Sequence, residues 1–544
     1  MAFDQQGAEA HEFGALNTLL LVVVLGLCII SAYLIKEHKI YYLPESAAAL
    51  LVGLIVGGLA RLIYPSKEEL KFLTFEPELF FFLLLPPIIF EAGYSLKKKD
   101  FFANIWTISL FAVGGTIVST FIVGYLVYLV GVMGLVPIDT SSPMEALLFG
   151  ALLSAIDPVA TLSILGNPEL RCEPLLYSLV FGESVLNDAV AIVLFKTFMK
   201  FYDLGEEFTS ATVPSVLWDF TMNSVGSIFV GLITSLLCCY LCKNTQMRRY
   251  PELETSIIFL FAYGSYAFSE ALELSGIMSL FFAGVCLSHY NVYNLSATSK
   301  ITANYIFKSL AVMSEFFVFL YMGMGFFIGR WNEFYFLFIV LVVIFCLIGR
   351  VANVFPMTFI ANMGRQKKIP FNMQVMIWFA GLRGAIAFAL SQNMPGAHRD
   401  VYISTTLSVV ILTTVVCGGL TEPMLTRLGM KSTSDEKPGD DDGHQYEQLV
   451  WNAEDGRGTP PSSGSGVRAP RAGVTGMSAF WHRFDNLYMK PYFGGTGATG
   501  PEGPASTRAT PRSNTQNPMQ VKTVMTTTTT MAGKGGVKES PPLS

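Results

Sequence analysis

The sequence predicts an all-α polytopic membrane protein with a long polar tail, and three observations predict it. Of 544 residues, 52% are apolar and 14% are charged, against about 25% charged in a soluble globular chain. The mean hydropathy is +0.48, even though the C-terminal stretch is polar. Apolar runs recur at the ~20-residue length a helix needs to cross a bilayer. Water cannot be the solvent for most of such a chain. That excludes a soluble enzyme, a nucleic-acid binder and a secreted disulfide scaffold. The net charge of −5 is too small to imply a polyanionic partner.

Thirteen spans are expected, near 14–35, 44–64, 78–93, 105–131, 144–166, 174–198, 215–242, 252–272, 275–290, 303–328, 334–361, 372–393 and 401–428. Asp4, Glu9 and Glu12 precede the first span, and Lys36 and Lys39 follow it, the reverse of a cleaved signal. Residues 1–13 are therefore expected on the luminal or extracellular side. Loop charges agree. Lys36, Lys39, Lys97, Lys98, Lys99, Arg171, Lys243, Arg248, Arg249, Lys300, Arg365, Lys367 and Lys368 fall on the cytosolic side, against Lys67, Lys71, Lys200, Arg330 and Arg399 opposite. That asymmetry follows the positive-inside rule and puts the C-terminus in the cytosol. Asn294-Leu-Ser has the glycosylation pattern but falls on the cytosolic side, so it is expected unmodified.

After the apolar part, 14–430, residues 431–544 form a cytosolic tail expected to be mostly disordered. Residues 432–544 hold 11 of the 27 prolines and 16 of the 48 glycines, with an acidic run at Asp440–Asp442 and threonines at Thr526–Thr530. Such a segment cannot bury enough apolar surface to offset its ordering entropy. One island, 480–493 (FWHRFDNLYMKPYF), mixes aromatics with basic residues and is expected to lie on the membrane surface, against the transport domain, or disordered. Thr459-Pro, Thr510-Pro and Ser540-Pro match a weak pattern for proline-directed phosphorylation. Cys239 and Cys242 form a C-x-x-C without a second pair, which reads as packing at a helix end, with palmitoylation the minority reading.

Charge deep in a span costs at least ~3 kcal/mol, so the informative residues are Asp157, Glu183, Asp188, Glu315, Arg350 and Arg383. A buried carboxylate set attracts small cations and protons. Asp157 precedes Pro158 in the fifth span. Proline removes a helix hydrogen bond, and carbonyls freed in lipid need a partner. The site is either a cation site or a proline kink capped by its Asp. In the twelfth span Gly381 and Gly384 flank Arg383. The fifth and twelfth spans each stand fourth in a five-span block, the pattern of an inverted-repeat transporter with a midplane site. In the sixth span, Ser184, Asn187 and Asp188 form an oxygen-rich patch. Glu183 there is the natural partner for Arg383, because an unpaired buried charge is costly.

These motifs carry a family resemblance. Phe181–Ala189 (FGESVLNDA), the DPVA at Asp157 and the GLRGAI from Gly381 resemble the eukaryotic sodium/proton exchangers. Phe80–Gly93 (FFFLLLPPIIFEAG) resembles that family's amiloride-associated span, which implies Phe81, Leu84, Pro86 and Pro87 for that region. Thr74-Phe-Glu-Pro-Glu and Gly93-Tyr-Ser-Leu resemble the organellar, Golgi-type branch. The likeness covers roughly residues 14–430.

The resemblance implies an NhaA-like fold of two inverted repeats, a homodimer, and electroneutral exchange of Na+ or K+ for H+ without any cofactor. It makes Asp188 the ion carrier, with Asn187 holding it and Asp157 lining the same cavity, so that Na+ or K+ would sit at Asp188 and Asp157. It makes Glu183 and Arg383 a buried ion pair and gives Glu315 a family acidic position. It implies a Golgi or endosomal membrane, with the plasma membrane second. The partners expected are a second copy, lipids and small cations, with no nucleic acid; regulatory proteins that bind the tail stay unidentified. Where several members carry an Arg before the last-span proline, this chain has Glu422. Arg350 is then the substitute partner for Asp157. No G-x-x-x-x-G-K-[ST] loop supplies a motor. A cation channel and a sodium-coupled symporter are the rival readings, and a scaffold whose carboxylates only hold helices together is the third.

Overall fold

The computed structural model describes residues 2–40, 42–63, 77–166, 170, 172–205, 213–327, 334–365, 367–430 and 484–494. The described chain lies in one compact unit spanning Met1–Ala498. Among the described residues the structure is helical, with no β-sheet. The phosphorylation patterns, the acidic and threonine runs, Lys67, Lys71, Arg171, Arg330, Thr74–Glu76 and residues 480–483 lie outside them.

The helices, in chain order, are α1 (Ala2–Glu37), α2 (Glu45–Ile63), α3 (Phe80–Tyr94), α4 (Lys98–Val132), α5 (Met144–Ser154), α6 (Val159–Leu165), α7 (Pro174–Asp203) and α8 (Val213–Asn244). There follow α9 (Pro251–Ala271), α10 (Gly276–Tyr290), α11 (Ala297–Gly325), α12 (Phe336–Gly364), α13 (Phe371–Phe379), α14 (Ala385–Ser391), α15 (Arg399–Arg427) and a short α16 over 485–493. Among the described residues, nine segments are long and apolar enough to cross a membrane, and Phe80–Tyr94 is a shorter apolar helix.

Three starts differ from the expected spans by more than two residues. The first, expected at 14, begins at Ala2, so residues 2–13, expected as a terminal segment ahead of the span, continue its helix. The fourth span, expected at 105, begins at Lys98, so Lys98 and Lys99 are helical rather than loop. Lys98 Nζ there donates to the Ser288 carbonyl at 2.9 Å, which anchors the first turn. The tenth begins at Ala297 rather than 303, because Ser296 caps it: its hydroxyl accepts from Ser299 N at 3.1 Å. Lys300 thus lies in the first turn of α11.

The helices sort into two bundles. In one, α4 packs on α5, α7 and α12, while α14 packs on α5 and α15. In the other, α2 packs on α1 and α11, while α10 packs on α3, α8 and α9. The bundles meet where α7 touches α8 and α10, where α2 touches α6, and where α11 touches α14. Outward faces are apolar, as at Trp106, Phe229, Ile233, Leu260 and Phe359. In lipid such faces need no cover, while each backbone polar group is satisfied within its helix.

Two spans are broken. Between α5 and α6, Ala155 turns to an extended conformation and Pro158 supplies no N–H. Between α13 and α14, residues 380–384 leave the helix. These are the interruptions that Pro158 and the Gly381/Gly384 pair mark in the sequence. None of the eight cysteines is in a disulfide, and Cys238, Cys239 and Cys242 are buried at the end of α8.

Candidate cation site at the crossing of the broken helices

The two unwound segments cross and satisfy one another. Asp157 N donates to the Leu382 carbonyl at 3.0 Å. Arg383 Nη1 donates to the Ala155 carbonyl at 3.2 Å, one of those freed by the break. The Asp157 carboxylate accepts from Val159 N at 3.3 Å and from Ala385 N at 3.4 Å, the first residues of α6 and α14. Unpaired N–H groups at helix starts favour negative charge there. The approach demands glycine at 384. A Cβ there would collide with the Cβ and Oδ2 of Asp157.

α7 runs alongside this crossing. Asn187 Oδ1 accepts from Ile156 N at 2.8 Å, and Ser184 Oγ donates to the Ile156 carbonyl at 3.3 Å. The other end of Asn187, Nδ2, donates to Thr116 Oγ1. Thr116 Oγ1 donates in turn to the Ala112 carbonyl at 2.5 Å. Thr116 follows the π-helical turn Leu110–Gly115 of α4, where wider winding is frequent at functional sites. Asn187 is thus held at both ends, and it holds the α5 break in place.

Asp188, the next residue, is different. It is 7% exposed, its Oδ1 has no hydrogen-bond partner, and Asp157 is near enough to act on it electrostatically. The arrangement supplies one fixed carboxylate, Asp157, and one buried carboxylate with a bare oxygen, Asp188. Ser184 and the Ile156 carbonyl stand beside them.

The expected ion pair is corrected. Glu183 pairs with Arg350, not with Arg383: Nη1 lies 2.5 Å from Oε1 and Nη2 lies 3.5 Å from Oε2. Arg350 also donates Nη2 to the Ile377 carbonyl at 2.6 Å. Arg350 is therefore committed to Glu183 and does not substitute as partner for Asp157, whose hydrogen bonds come from backbone N–H groups. The physical reason lies in the crossing. Arg383 sits in an unwound segment and is drawn to the Ala155 carbonyl, while Arg350, on the intact α12, faces α7.

Glu315 lies partly buried on α11 in the other bundle, within electrostatic reach of Asp157 and Glu91. Phe81, Leu84, Pro86 and Pro87 lie on α3, which packs on α10 and α11. The Phe81 carbonyl accepts from Tyr266 OH at 2.8 Å, a bond between α3 and α9. Sequence reasoning missed Thr116. Its only signal was a hydroxyl directly after Gly114-Gly115, one of several in a span that also holds Thr107, Ser109, Ser119 and Thr120.

A bundle of membrane helices with two crossed, broken spans and carboxylates at the crossing is the framework of a secondary transporter. The comparisons with known proteins make this specific. The family model "Sodium/hydrogen exchanger, transmembrane" matches residues 22–427. Sodium/hydrogen exchanger 8 of Rattus norvegicus is 36% identical over 432 residues, covering 77% of this chain and 74% of that one. Sodium/hydrogen exchanger 1 of Dictyostelium discoideum is 38% identical over 497 residues, covering 90% of this chain and 68% of that one. The endosomal/prevacuolar sodium/hydrogen exchanger of Saccharomyces cerevisiae is 36% identical over 454 residues, covering 80% of this chain and 70% of that one. The solved sodium proton antiporter MjNhaP1 from Methanocaldococcus jannaschii shares the fold, with TM-score 0.60 at 19% identity, covering 77% of this chain and 98% of that one.

The chain belongs to the sodium/hydrogen exchanger family. It is a transporter that exchanges Na+ for H+, not an enzyme, and the chemistry needs no cofactor.

Proposed function

We propose that this chain is an electroneutral exchanger of an organellar membrane, taking Na+ or K+ against H+, with Asp188 as the carrier. The observation that carries this reading is the bare Oδ1 of Asp188, a buried carboxylate oxygen beside the crossing that accepts no hydrogen bond. A buried carboxylate without a fixed counter-charge must take up a proton or a cation. It can hold one or the other, so the two ions compete for a single group. If the empty, ionised site cannot cross the bilayer, movement is tied to occupancy and exchange follows without ATP.

Asn187 rather than a second Asp beside Asp188 leaves one titrating carboxylate in this pair, which favours one-for-one exchange. Asp157 contributes a second oxygen set at the crossing. Asn187 and Ser184 hold Ile156 so that its carbonyl and Asp157 keep their distance from Asp188. Glu183 and Arg350 hold α7 to α12. Glu315, on the opposing bundle, faces the same region. The two bundles are the bodies that would move past one another in alternating access.

The tail lies in the cytosol in this reading, where the Lys and Arg excess of the loops places it. An endosomal or Golgi membrane is favoured by the named yeast relative and by the Golgi-type motifs, and a homodimer is the assembly expected of the family. Reconstitution of the purified protein in liposomes tests the reading. A pH-reporting dye should respond to Na+ or K+ pulses with voltage clamped. Sustained unitary current in a planar bilayer would instead establish a channel.

A further inference from the structure

A second carboxylate is buried without a paired Lys or Arg among the described residues, far along α5 from the crossing. Glu145, in the first turn of α5, is 4% exposed. Its Oε1 accepts from Tyr202 OH, near the end of α7, at 3.3 Å. Its Oε2 has no partner. Gly396, with φ +89°, presses the loop before α15 against it. A Cβ there would collide with Oε1, so this contact too needs glycine.

A second unpartnered group points to the same place. Tyr402 on α15 is fully buried, and its hydroxyl has no hydrogen-bond partner. Its ring packs 4.8 Å from that of Phe149, one turn along α5 from Glu145. Glu145, Asp139 and Tyr202 are all within electrostatic reach of it. The titratable and charged groups facing Glu145 are Asp139 from the loop before α5, Tyr202 from α7, His398 from the loop before α15 and Tyr402 from α15. Asp203 acts on Tyr202.

We propose that Glu145 is a second proton-binding site, separate from the transport carboxylates, on the membrane face opposite α16, where Asp485 accepts from Tyr290 OH at the end of α10 and the Phe493 carbonyl accepts from Asn294. A proton fits better than a metal. Among the described residues, no group of three His, Cys, Asp or Glu could hold a metal ion. One proton on Oε2 neutralises the carboxylate and gives it a donor beside an unpartnered phenol. The site ties together α5, α7, α15 and the loop that follows α14. α5 leads into Ile156 and Asp157, α7 carries Asp188, and the loop follows α14, the far half of the second broken span. Occupancy of Glu145 therefore sets how firmly the outer ends of these helices are held, and with it the exchange rate. The inference rests on the proposed function for its transport readout and for its sidedness, which makes this face luminal.

The test uses the full chain in oriented liposomes. Exchange is followed while pH on the Glu145 face is stepped from about 5.5 to 7.5 and the other face is held constant. Glu145→Gln keeps the shape and a permanent donor but cannot titrate, so its pH response should flatten by about threefold or more. Tyr402→Phe keeps the carboxyl and should move the midpoint by about half a unit or more. Infrared difference spectra on acidification should show a carboxyl C=O band that Glu145→Gln lacks. Superimposable pH profiles, or an unchanged carboxyl band in Glu145→Gln, overturn the proposal. A wild-type protein that moves no cations would overturn the exchange reading instead, and the infrared arm would still decide Glu145.

Discussion

Glu183 and Asp188 lie five residues apart on α7, are both buried, and meet opposite fates. Glu183 is clamped by Arg350, whose other nitrogen is bound to the Ile377 carbonyl. Asp188 keeps a bare oxygen. A paired charge is already neutralised and serves to hold helices. An unpaired one is left to attract a positive ion. The difference separates the structural carboxylate from the transporting one more clearly than burial, which they share.

The largest effect expected is at Asp188. Asp188→Asn should abolish exchange while leaving the protein folded, because it removes a charge that has no partner. Flux assays paired with thermal unfolding check this, and residual exchange above a few per cent of wild type would break the contrast. Arg350→Met should do the reverse kind of damage. It strands Glu183 in the core, at a cost of about 3–5 kcal/mol. The double variant Glu183→Gln with Arg350→Met should recover much of that loss in a thermal-unfolding assay. Gly384→Ala comes next. Its Cβ cannot coexist with Asp157 in this crossing, so exchange should fall by about tenfold or more, with cation KM affected along with rate.

Thr116→Val tests the support of Asn187. It removes one buried hydrogen-bond partner, worth about 1–3 kcal/mol. It should lower exchange less than Gly384→Ala, and Thr116→Ser should restore it.

The smallest effect concerns the docked segment 485–493. Asp485 there accepts from Tyr290 OH at 2.7 Å and lies 3.2 Å from Lys490 Nζ. Partial burial opposes its charge, but Tyr290, Lys490 and His289 together hold its carboxyl below the ordinary value. A depressed carboxyl stabilises the docked state above the free-chain pKa and loses that contribution as pH falls through the lower folded value. Docking should therefore hold at neutral pH and weaken only in acid. Limited proteolysis near 485–493 as a function of pH reads this, and release near neutrality would contradict it.

The sequence made the breaks legible because they are local. Pro158 removes its own N–H, and Gly381 and Gly384 weaken their own helix, so both interruptions were visible without any tertiary knowledge. Asp188 stood out for a similar reason, as an acid deep in an apolar run. The partner of Glu183 was not legible. Arg350 and Arg383 are both buried arginines far along the chain, and only the crossing decides that one faces Glu183 while the other faces Ala155. Thr116 and Glu145 were hidden differently. A threonine in an apolar helix usually bonds its own backbone, and a Glu in a first turn reads as an ordinary complement to the helix dipole. Asn294, expected to be unmodified, is engaged in the structure, donating to the Cys239 and Phe493 carbonyls at 3.3 and 2.8 Å.

The central claim is that one oxygen set at Asp188 serves both ions in turn. The most direct test is the apparent KM for Na+ in proteoliposomes, measured across pH with proton counter-flux recorded in the same vesicles. With pH on the Glu145 face held constant, KM should rise by about tenfold per unit as pH on the opposite face falls below the carboxyl's pKa, at constant maximal rate and with one proton leaving per cation entering. A KM indifferent to pH, or cation flux without opposing proton flux, would contradict it.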